Sequence, residues 1–449
     1  MKLYRFKKGG IHPDPMKLTA GRPLRKVTMP GEVKLFLSQH IGAPAKCIVK
    51  PNDIVEAGQM IGEAAGFVSA PVHTPIAGKV KKIELVRDGQ GIWKEAVIIE
   101  ALPTEGEEPR KEQKADFDCS SPVRTDDEIA ALTPKEIIDI VGDAGIVGLG
   151  GASFPTRVKL SIPPGKKADY FIINGAECEP YLTCDDTLMR HYASQIVDGV
   201  IYLMRAAGTP QAVIGIEANK PEAIRAMEEA AKLRMDIEVV RLKTRYPQGS
   251  EKQLIEAVTG RVVPAAGLPI DAGVIVDNVA TAFAVERAVR YGEPLMKRIA
   301  TVTGLGVKDG GDFIVPTGIS ALTLVDYAGG MPEDTGKVIS GGPMMGRAMS
   351  QVDSPMAKAN GGILVVPADK SKRGETGPCI RCCNCVTVCP MSLEPYLLQT
   401  LGEFSGDEEA RDAGVLNCLE CGCCSYICPS NRPILDYIRL SKNRVRRQK

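Results

Sequence analysis

The stretch that decides the fold of the C-terminal part of the chain reads CIRCCNCVTVCP, at residues 379–390, and it recurs as CLECGCCSYICP at residues 418–429. Both runs have the spacing C-x2-C-x2-C-x3-C-P. Thiolates at these intervals wrap a short loop around one face of an iron-sulfur cubane. The doubled motif therefore predicts two 4Fe-4S clusters, which are centres that move single electrons.

The fourth ligand of each cluster is expected to come from the other run, as in two-cluster ferredoxins. One cluster then has the ligands Cys379, Cys382, Cys385 and Cys428, here called the Cys428 set. The other has Cys418, Cys421, Cys424 and Cys389, here called the Cys389 set. A pair of zinc sites is the competing interpretation, but zinc C-x2-C pairs are usually separated by a longer gap. Cys383 and Cys423 are surplus, and we expect them to pack beside the clusters.

Composition narrows the class of protein. A length of 449 residues allows two to four domains. Lys plus Arg (56) nearly balance Asp plus Glu (55), which argues against a nucleic-acid partner. The N-terminus lacks the apolar region of a secretory signal, and no window approaches the roughly 18 apolar residues of a membrane span. We therefore expect a cytoplasmic protein with reduced thiols, whose membrane association is peripheral.

The pattern along the chain predicts a multidomain α/β protein. Short β-branched runs and turn residues indicate an N-terminal β-rich domain at 1–101, similar to the barrel-sandwich of biotinyl and lipoyl domains but without a swinging-arm lysine at Lys79. A polar linker is predicted at 102–121 and an α/β domain at 122–296, whose first strong helix opens with a capping box at Thr133 and Glu136. Short strands with glycine turns predict a β-grasp-like domain at 297–367, and the cluster module occupies 368–449.

Four segments of the α/β domain carry candidate ligand-binding groups. The glycine-rich loop GIVGLGGASFPT, at residues 145–156, resembles an anion-binding nest, although a glycine run alone also fits an ordinary turn. The segment NGAECEP, at residues 174–180, follows a strand directly, where the ligand sites of α/β sheets collect. Two further loops, YPQGSE at 246–251 and VDNVAT at 276–281, add aromatic, carboxylate, amide and hydroxyl groups. Together they predict a flavin and nucleotide site.

These four segments resemble those of the NADH-oxidising flavoprotein subunit of respiratory complex I. The order of the whole chain, from its opening YRFKKGGIHP at residues 4–13 to its two cluster motifs, resembles the C subunits of the Rnf complex. The resemblance implies a peripheral subunit on the cytoplasmic face of the membrane, in an ion-translocating ferredoxin:NAD oxidoreductase. It also implies non-covalent FMN, NAD(H), membrane subunits and a ferredoxin-like B subunit as partners, and ferredoxin as an indirect one.

The resemblance also implies roles for single residues. Around the FMN phosphate and ribityl chain it puts Gly148, Gly150, Gly151 and Lys159. Around the isoalloxazine and phosphate it puts Asn174, Glu177, Asn278 and Thr281. Phe154 would stack on the nucleotide and Glu251 would lie at the nicotinamide side, as the two catalytic candidates. The chain departs from complex I at Leu149, where complex I has Arg, and at Ala176, where it has Asp.

The function expected from these features is hydride exchange between NADH and FMN, with single electrons passing between FMN and the two clusters. A cobalamin reductase of the microcompartment type is a related alternative, but it generally begins near the glycine loop, so residues 1–120 argue against it. A non-enzymatic iron-sulfur carrier is the alternative from another class. The presence of all four ligand-binding segments argues against that interpretation.

Overall fold

The computed structural model describes residues 2–102, 113–118 and 121–448. Most of the predicted linker therefore lies outside the described residues. Its described part, 113–118, is packed against the protein: the Ala115 N–H donates to the Val27 carbonyl at 2.8 Å. Phe117 packs edge-on against Phe283, with ring centroids 4.9 Å apart. This part of the segment joins the protein core.

Two small antiparallel sheets form the N-terminal sandwich. One has the strand order β2-β8-β7-β4 and the other β3-β5-β6. Apolar side chains from both, including Val33, Leu35, Ile61, Val80 and Ile99, are buried between them. The first strand of the chain, β1 (Arg25–Lys26), lies outside the sandwich. The strands of the sandwich are β2 (Glu32–Phe36), β3 (Lys46–Cys47), β4 (Ile54–Val55), β5 (Met60–Glu63), β6 (Val72–His73), β7 (Gly78–Arg87) and β8 (Trp93–Ala101).

The first 26 residues run outside this sandwich. Tyr4 forms a parallel bridge with Leu242, and Ile11 an antiparallel one with Tyr246. Strand β1 pairs with a strand of a later sheet, with Arg25 opposite Phe313. The N-terminal segment thus crosses the surface of the other domains before the sandwich begins at β2.

The α/β domain is built on a parallel sheet of order β11-β10-β9-β12. Its elements are α1 (Asp126–Ala131), α2 (Pro134–Asp143), α3 (Thr156–Leu160), β9 (Tyr170–Gly175), α4 (Cys184–His191), α5 (Ala193–Ala207), β10 (Ala212–Glu217), α6 (Pro221–Ala230), β11 (Ile237–Leu242), α7 (Glu251–Thr259), β12 (Val274–Asn278) and α8 (Val279–Tyr291). The capping box predicted for α2 is present, since the Thr133 side chain accepts from Glu136 N and Glu136 accepts from Thr133 N.

Both faces of this sheet are covered, as expected for parallel strands. Because side chains alternate along a strand, Phe171 and Ile173 of β9 belong to one core with α2, α5 and α8. Ile172 faces the other side, in a smaller core with Leu254 and Ile255 of α7. The strand order reverses between β9 and β12, which creates a crevice beyond their carboxyl ends.

A mixed sheet of order β1-β14-β13-β17-β15-β16 follows. Its elements are β13 (Lys297–Thr303), β14 (Gly311–Pro316), α9 (Ala321–Tyr327), β15 (Thr335–Ser340), β16 (Arg347–Ala348) and β17 (Gly362–Pro367). Strands β13 and β14 form an antiparallel pair, β17 lies parallel to β13, and β15 pairs antiparallel with β17.

The C-terminal module is helical. Its helices are α10 (Ala368–Ser371), α11 (Asn384–Thr387), α12 (Pro395–Glu403), α13 (Asp407–Asp412), α14 (Cys423–Ile427) and α15 (Ile434–Arg447). Leu398, Ala410, Val415, Ile438 and Val445 form a small apolar core in which several cysteines also take part. None of the helices in the described parts of the chain combines the length and apolar character needed to span a bilayer.

Candidate functional site

The predicted ligand-binding segments meet at the crevice where the strand order reverses. Asn174, the penultimate residue of β9, lies opposite Asn278, which ends β12. The Asn278 amide nitrogen donates to the Asn174 carbonyl at 3.2 Å, while its side-chain oxygen accepts from Ala280 N at 2.8 Å and caps α8. The Asn174 amide donates to the Gly249 carbonyl at 2.7 Å. These two asparagines join three of the four segments.

The glycine-rich loop lies over Asn278. A Cβ atom on Gly150 would lie 3.0 Å from the Asn278 side chain, so a side chain at that position would force Asn278 to shift. The Leu149 N–H donates to Thr281 Oγ1 at 3.0 Å. Thr281 is fully buried and braces the loop from below. Around Gly151, in contrast, a Cβ would meet nothing within 4 Å, so this part of the loop faces open space.

Lys159 brings a positive charge to the crevice. Its ammonium group donates to the Val276 carbonyl at 2.8 Å and lies 3.6 Å from Asp277 Oδ1. Glu251 begins α7 and is exposed to solvent on one side. Desolvation by the surrounding protein raises the pKa of the Glu251 carboxyl; Asp277 adds to this effect and Lys159 opposes it. The charge of Lys159 therefore influences the ionisation of the Glu251 carboxyl.

The residues after the glycines leave polar atoms unpaired. Ser153 has a φ of 53°, and its carbonyl accepts from Ile41 N of the sandwich at 3.3 Å. The buried atoms Ser153 Oγ, Thr156 Oγ1 and Asp277 Oδ2 have no hydrogen-bond partner among the described residues. Phe154 is half-buried beside them. A glycine cradle with open space and unpaired buried hydroxyls fits a bound phosphate ester such as FMN.

A buried lysine fixes this loop to the sandwich. Lys358 is 1% exposed, and its ammonium group donates to the carbonyls of Pro71 and Gly145, each at 2.7 Å. Burial lowers the pKa of Lys358 to about 7. Gly145 has a φ of 64°, and a Cβ there would lie 2.5 Å from the Pro71 oxygen. The sequence offered no signal for this contact, which joins positions distant in the chain.

The pKa of Lys358 predicts a pH effect on stability. The free amine ordinarily titrates at 10.5, so between about 7 and 10.5 the unfolded chain binds a proton that the folded chain lacks. Stability therefore rises with pH in this window, by up to about 1.4 kcal/mol per unit. Urea unfolding of the FMN-free parent and of Lys358→Met at pH 7, 8 and 9 measures this, and the parent should gain stability relative to the variant. The exposed-lysine variant Lys232→Met should follow the parent; equal slopes for parent and Lys358→Met would contradict the prediction.

Glu177 is engaged at the start of α4. Its carboxylate accepts from the Asp185 N–H at 2.7 Å and from Asp186 N at 3.4 Å. Asp185, which the sequence did not single out, accepts from the Asn278 amide at 2.7 Å. Burial and the neighbouring Glu177 raise the pKa of Asp185 to about 7. Glu177 thus acts on the crevice indirectly. It binds the first N–H groups of α4, and Asp185 of that helix binds Asn278.

Two lysines support the loop that carries Glu177. Lys17, from the N-terminal segment, donates to the carbonyls of Glu177 and Leu182 at 2.9 and 2.6 Å. Lys220 is buried and donates to the Ala176 carbonyl at 2.8 Å. Neither lysine has a recognisable motif, because both act on backbone carbonyls of a distant loop.

The cysteines of the Cys389 set line one cavity. Its wall includes Cys389, Cys418, Cys421 and Cys424, together with Met391 and Leu435. Two backbone N–H groups point at thiols: Glu420 N donates to Cys418 Sγ at 3.3 Å, and Leu393 N to Cys389 Sγ at 3.4 Å. Four thiols around one cavity fit a cubane cluster, and they include a ligand from each run.

The backbone repeats around the two runs. Arg381 and Glu420, the second spacer residues of the first C-x2-C pairs, have φ values of 56° and 58°. Cys383 and Gly422 precede the short helices α11 and α14 with φ values of 59° and 79°. The same loop conformation thus occurs twice, which is the arrangement expected from the prediction of two equivalent clusters.

The Cys428 set is less enclosed. Cys379 and Cys382 are exposed, Cys428 is half-buried and Cys385 is buried. The surplus cysteines also differ: Cys423 is buried, as expected, but Cys383 is exposed, so the expectation that it packs inside was wrong. The reason is that Cys383 takes the left-handed turn position before α11 and faces solvent.

The crevice and the cavity adjoin through the loop before α7. The Tyr246 hydroxyl donates to the Cys421 carbonyl at 2.8 Å. Gln253 of α7 reaches the Pro390 carbonyl at 3.4 Å. In the same loop, Gly249 N donates to Cys178 Sγ at 3.2 Å, and the Gly249 carbonyl holds Asn174. The loop therefore contacts the ligand crevice on one side and the Cys389 set on the other.

Comparison with known proteins agrees with this architecture. Family models match at residues 5–102 (RnfC Barrel sandwich hybrid domain), 141–287 (Nuo51 FMN-binding domain) and 372–429 (4Fe-4S dicluster domain). The chain is 41% identical over 442 residues to the C subunit of the proton-translocating ferredoxin:NAD(+) oxidoreductase complex of Clostridium ljungdahlii, covering 98% of this chain and 94% of that one. The chain belongs to the family of Rnf complex C subunits.

Other members of the family are equally similar. The C subunit of the Na(+)-translocating ferredoxin:NAD(+) oxidoreductase complex of Acetobacterium woodii is 41% identical, with 98% of this chain and 96% of that one covered. The C subunit of the ion-translocating oxidoreductase complex of Rhodobacter capsulatus is 40% identical, with 98% and 83% covered. The predicted family, the barrel-sandwich, the flavin domain and the dicluster module are thereby confirmed.

Proposed function

We propose that this Rnf C subunit passes electrons between NAD(H), FMN and two 4Fe-4S clusters, within a membrane-bound, ion-translocating ferredoxin:NAD oxidoreductase. The observation that carries the proposal is the contact between crevice and cavity. One loop, 246–251, touches both, through Asn174 and Gly249 on the flavin side and Tyr246 and Cys421 on the cluster side. Electron transfer between a flavin and a cluster requires such proximity.

The residues around the crevice would hold FMN in distinct ways. The open space at Gly151 and the close approach at Gly150 suit a phosphate and ribityl chain running over Gly148 and Lys159. Asn174 would present its remaining amide hydrogen to the ring system, while Asn278 would shape this side of the site through its bonds to Asn174 and Asp185. Thr281 would brace the loop and Glu177 would order α4. When bound, FMN supplies the conversion between a two-electron hydride and single electrons. The chain contributes binding and orientation.

The two clusters differ in position, which supports an order of transfer. The Cys389 set adjoins the flavin domain, and it includes the buried thiols of Cys421 and Cys424. The Cys428 set includes the exposed Cys379 and Cys382. We assign the Cys389 cluster to exchange with the flavin and the Cys428 cluster to exchange with a partner protein.

Glu251 and Phe154 are assigned to the nicotinamide side. Replacing Glu251 with Gln or Phe154 with Ala should slow NADH-dependent reduction of an artificial acceptor by about tenfold or more, because hydride transfer depends on close alignment. FMN and iron contents should stay at the parent level. Glu256→Gln, on the same helix, is the matched control. If both variants reduce the acceptor at the parent rate, the nucleotide binds elsewhere.

We also propose domain boundaries, partner proteins and a cellular location for the chain. We divide the chain at 1–101, 102–121, 122–296, 297–367 and 368–449, with residues 2–26 reaching across the later domains. The strand order of β14-β13-β17-β15, with β13 and β17 parallel, supports a β-grasp unit at 297–367. Membrane subunits and a ferredoxin-like B subunit are the proposed partners, with ferredoxin acting through them. The proposed location is the cytoplasmic face of the membrane.

The proposal is tested on the purified full-length chain. Acid extraction should release FMN, and analysis should find about eight iron and eight sulfide per chain. Adding NADH should then bleach the cluster absorbance. A chain that holds iron and sulfide but no flavin would be an electron carrier, and the proposal would fail.

A further inference from the structure

The opening segment of the chain, residues 4–11, has no role in the function proposed so far. It lies as a strap between the flavin domain and the cluster module. Tyr4 N donates to the Arg241 carbonyl at 2.9 Å, and Ile11 N to the Tyr246 carbonyl at 2.8 Å. On the other side, Gly10 N donates to the Val388 carbonyl at 2.8 Å, next to Cys389.

The glycines of this strap permit its contact with the cluster loop. Gly9 has a φ of 68°, and a Cβ there would lie 2.6 Å from the carbonyl carbon and oxygen of Cys389. Gly10 has a φ of 81°, and a Cβ there would lie 2.6 Å from the Phe6 ring. Only glycine can hold both this conformation and this closeness. The strap therefore presses directly on the backbone of a cluster cysteine.

Arg245 is fixed by the same strap. Its guanidinium donates to the Phe6 carbonyl at 3.3 Å and to the Gly9 carbonyl, and it stacks over the Phe6 ring at 4.5 Å from the centroid. Arg245 Nε is buried without a hydrogen-bond partner among the described residues. The next residue is Tyr246, which bonds the Cys421 carbonyl. The guanidinium thus binds the carbonyl of Gly9, the residue that lies against Cys389, while the residue after it contacts Cys421.

Glu217 accepts from the backbone N–H of Arg245 at 3.2 Å, but the Arg245 guanidinium has no ion-pair partner among the described residues. Arg241 and Arg261 of the same domain, in contrast, each have one. Burial lowers the pKa of Arg245, the neighbouring Arg5 lowers it further, and Cys423 of the cluster loop opposes them. Cys423 is the neighbour in sequence of the ligand Cys424, so the charge of Arg245 acts toward the loop that carries thiolates of the Cys389 set.

We propose that Arg245, held by residues 4–11, is a positioning and charge-tuning residue that raises the reduction potential of the Cys389 cluster. The inference rests on the proposed function, because it presumes a cluster at that set. A cluster with four thiolate ligands is anionic, and reduction adds a further negative charge. A fixed positive charge nearby stabilises the reduced form more than the oxidised form.

The test uses the purified full-length protein with its FMN and clusters, in an EPR-monitored redox titration. The variants are Arg245→Gln, Arg245→Lys and, as control, Arg22→Gln. Arg22 also lies in the N-terminal segment, but it pairs with Asp309 of a later domain. In Arg245→Gln, one of the two clusters should become harder to reduce, with its reduction equilibrium constant lowered about tenfold. The other cluster should titrate as in the parent. Arg245→Lys keeps the positive charge and should therefore keep most of the parent's reduction potential, and Arg22→Gln should leave both clusters unchanged.

Each outcome decides the inference. If Arg245→Gln keeps its iron and both clusters titrate as in the parent, the inference is wrong. If Arg245→Gln loses iron, Arg245→Lys decides: parent-like iron and potentials support a charge effect, whereas loss of iron in both variants overturns charge tuning. A parent protein without clusters would instead refute the proposed function.

Discussion

Replacing Cys389 with alanine should halve the iron content of the protein, from about eight to about four atoms per chain. Cys389 belongs by sequence to the first run, but it lines the cavity formed by Cys418, Cys421 and Cys424 of the second. A cluster that lacks one of its four ligands is easily lost from the protein, whereas the cluster of the Cys428 set keeps all four of its cysteine ligands. Iron and sulfide analysis, with EPR of the reduced protein, measures the effect.

Double variants identify which cluster is lost. If Cys389 and Cys418 hold the same cluster, the variant that replaces both should retain the same four irons as either single variant. Replacing both Cys389 and Cys379 should remove nearly all iron. Cys383→Ala, at the exposed surplus cysteine, is the matched control and should retain the full content. The reverse pattern for the two double variants would mean that each run holds its own fourth ligand.

Replacing Gly151 with valine should lower the affinity for FMN by about ten- to a hundredfold, through steric overlap in the bound state. The fold of the FMN-free protein should be unaffected, since a Cβ at Gly151 meets nothing within 4 Å. Added side-chain atoms would instead occupy the space assigned to the phosphate and ribityl chain. Fluorescence titration of the FMN-free protein with FMN measures the affinity, and thermal unfolding without FMN measures the stability.

Gly66→Val is the matched control for this variant. Gly66 is also exposed, has no positive φ and has open space around it, but it lies in the sandwich. It should bind FMN as the parent does. If Gly151→Val binds FMN as tightly as the parent does, the phosphate of FMN does not bind at this loop.

Some of the site could be predicted because its signals are local. Cysteine spacing, a capping box at Thr133 and a glycine run each act within about a dozen residues, so the chain displays them directly. The cross-run pairing of Cys389 also followed from spacing, since one loop cannot enclose a cubane. The residues that sequence reasoning missed, such as Lys17, Asp185 and Lys358, act on backbone or side-chain atoms of distant segments and have no local pattern.

By itself, the sequence determined the family, the barrel-sandwich, the flavin domain, the dicluster module and the cysteines suited to clusters, because these depend on residue type and spacing. Only the tertiary structure decided which groups meet. It put the Cys389 set, rather than the Cys428 set, against the flavin domain through Tyr246. It also put residues 4–11 and Arg245 between them. Such contacts depend on how separate domains pack. Packing between distant segments produces no local or periodic pattern in the sequence of a single chain.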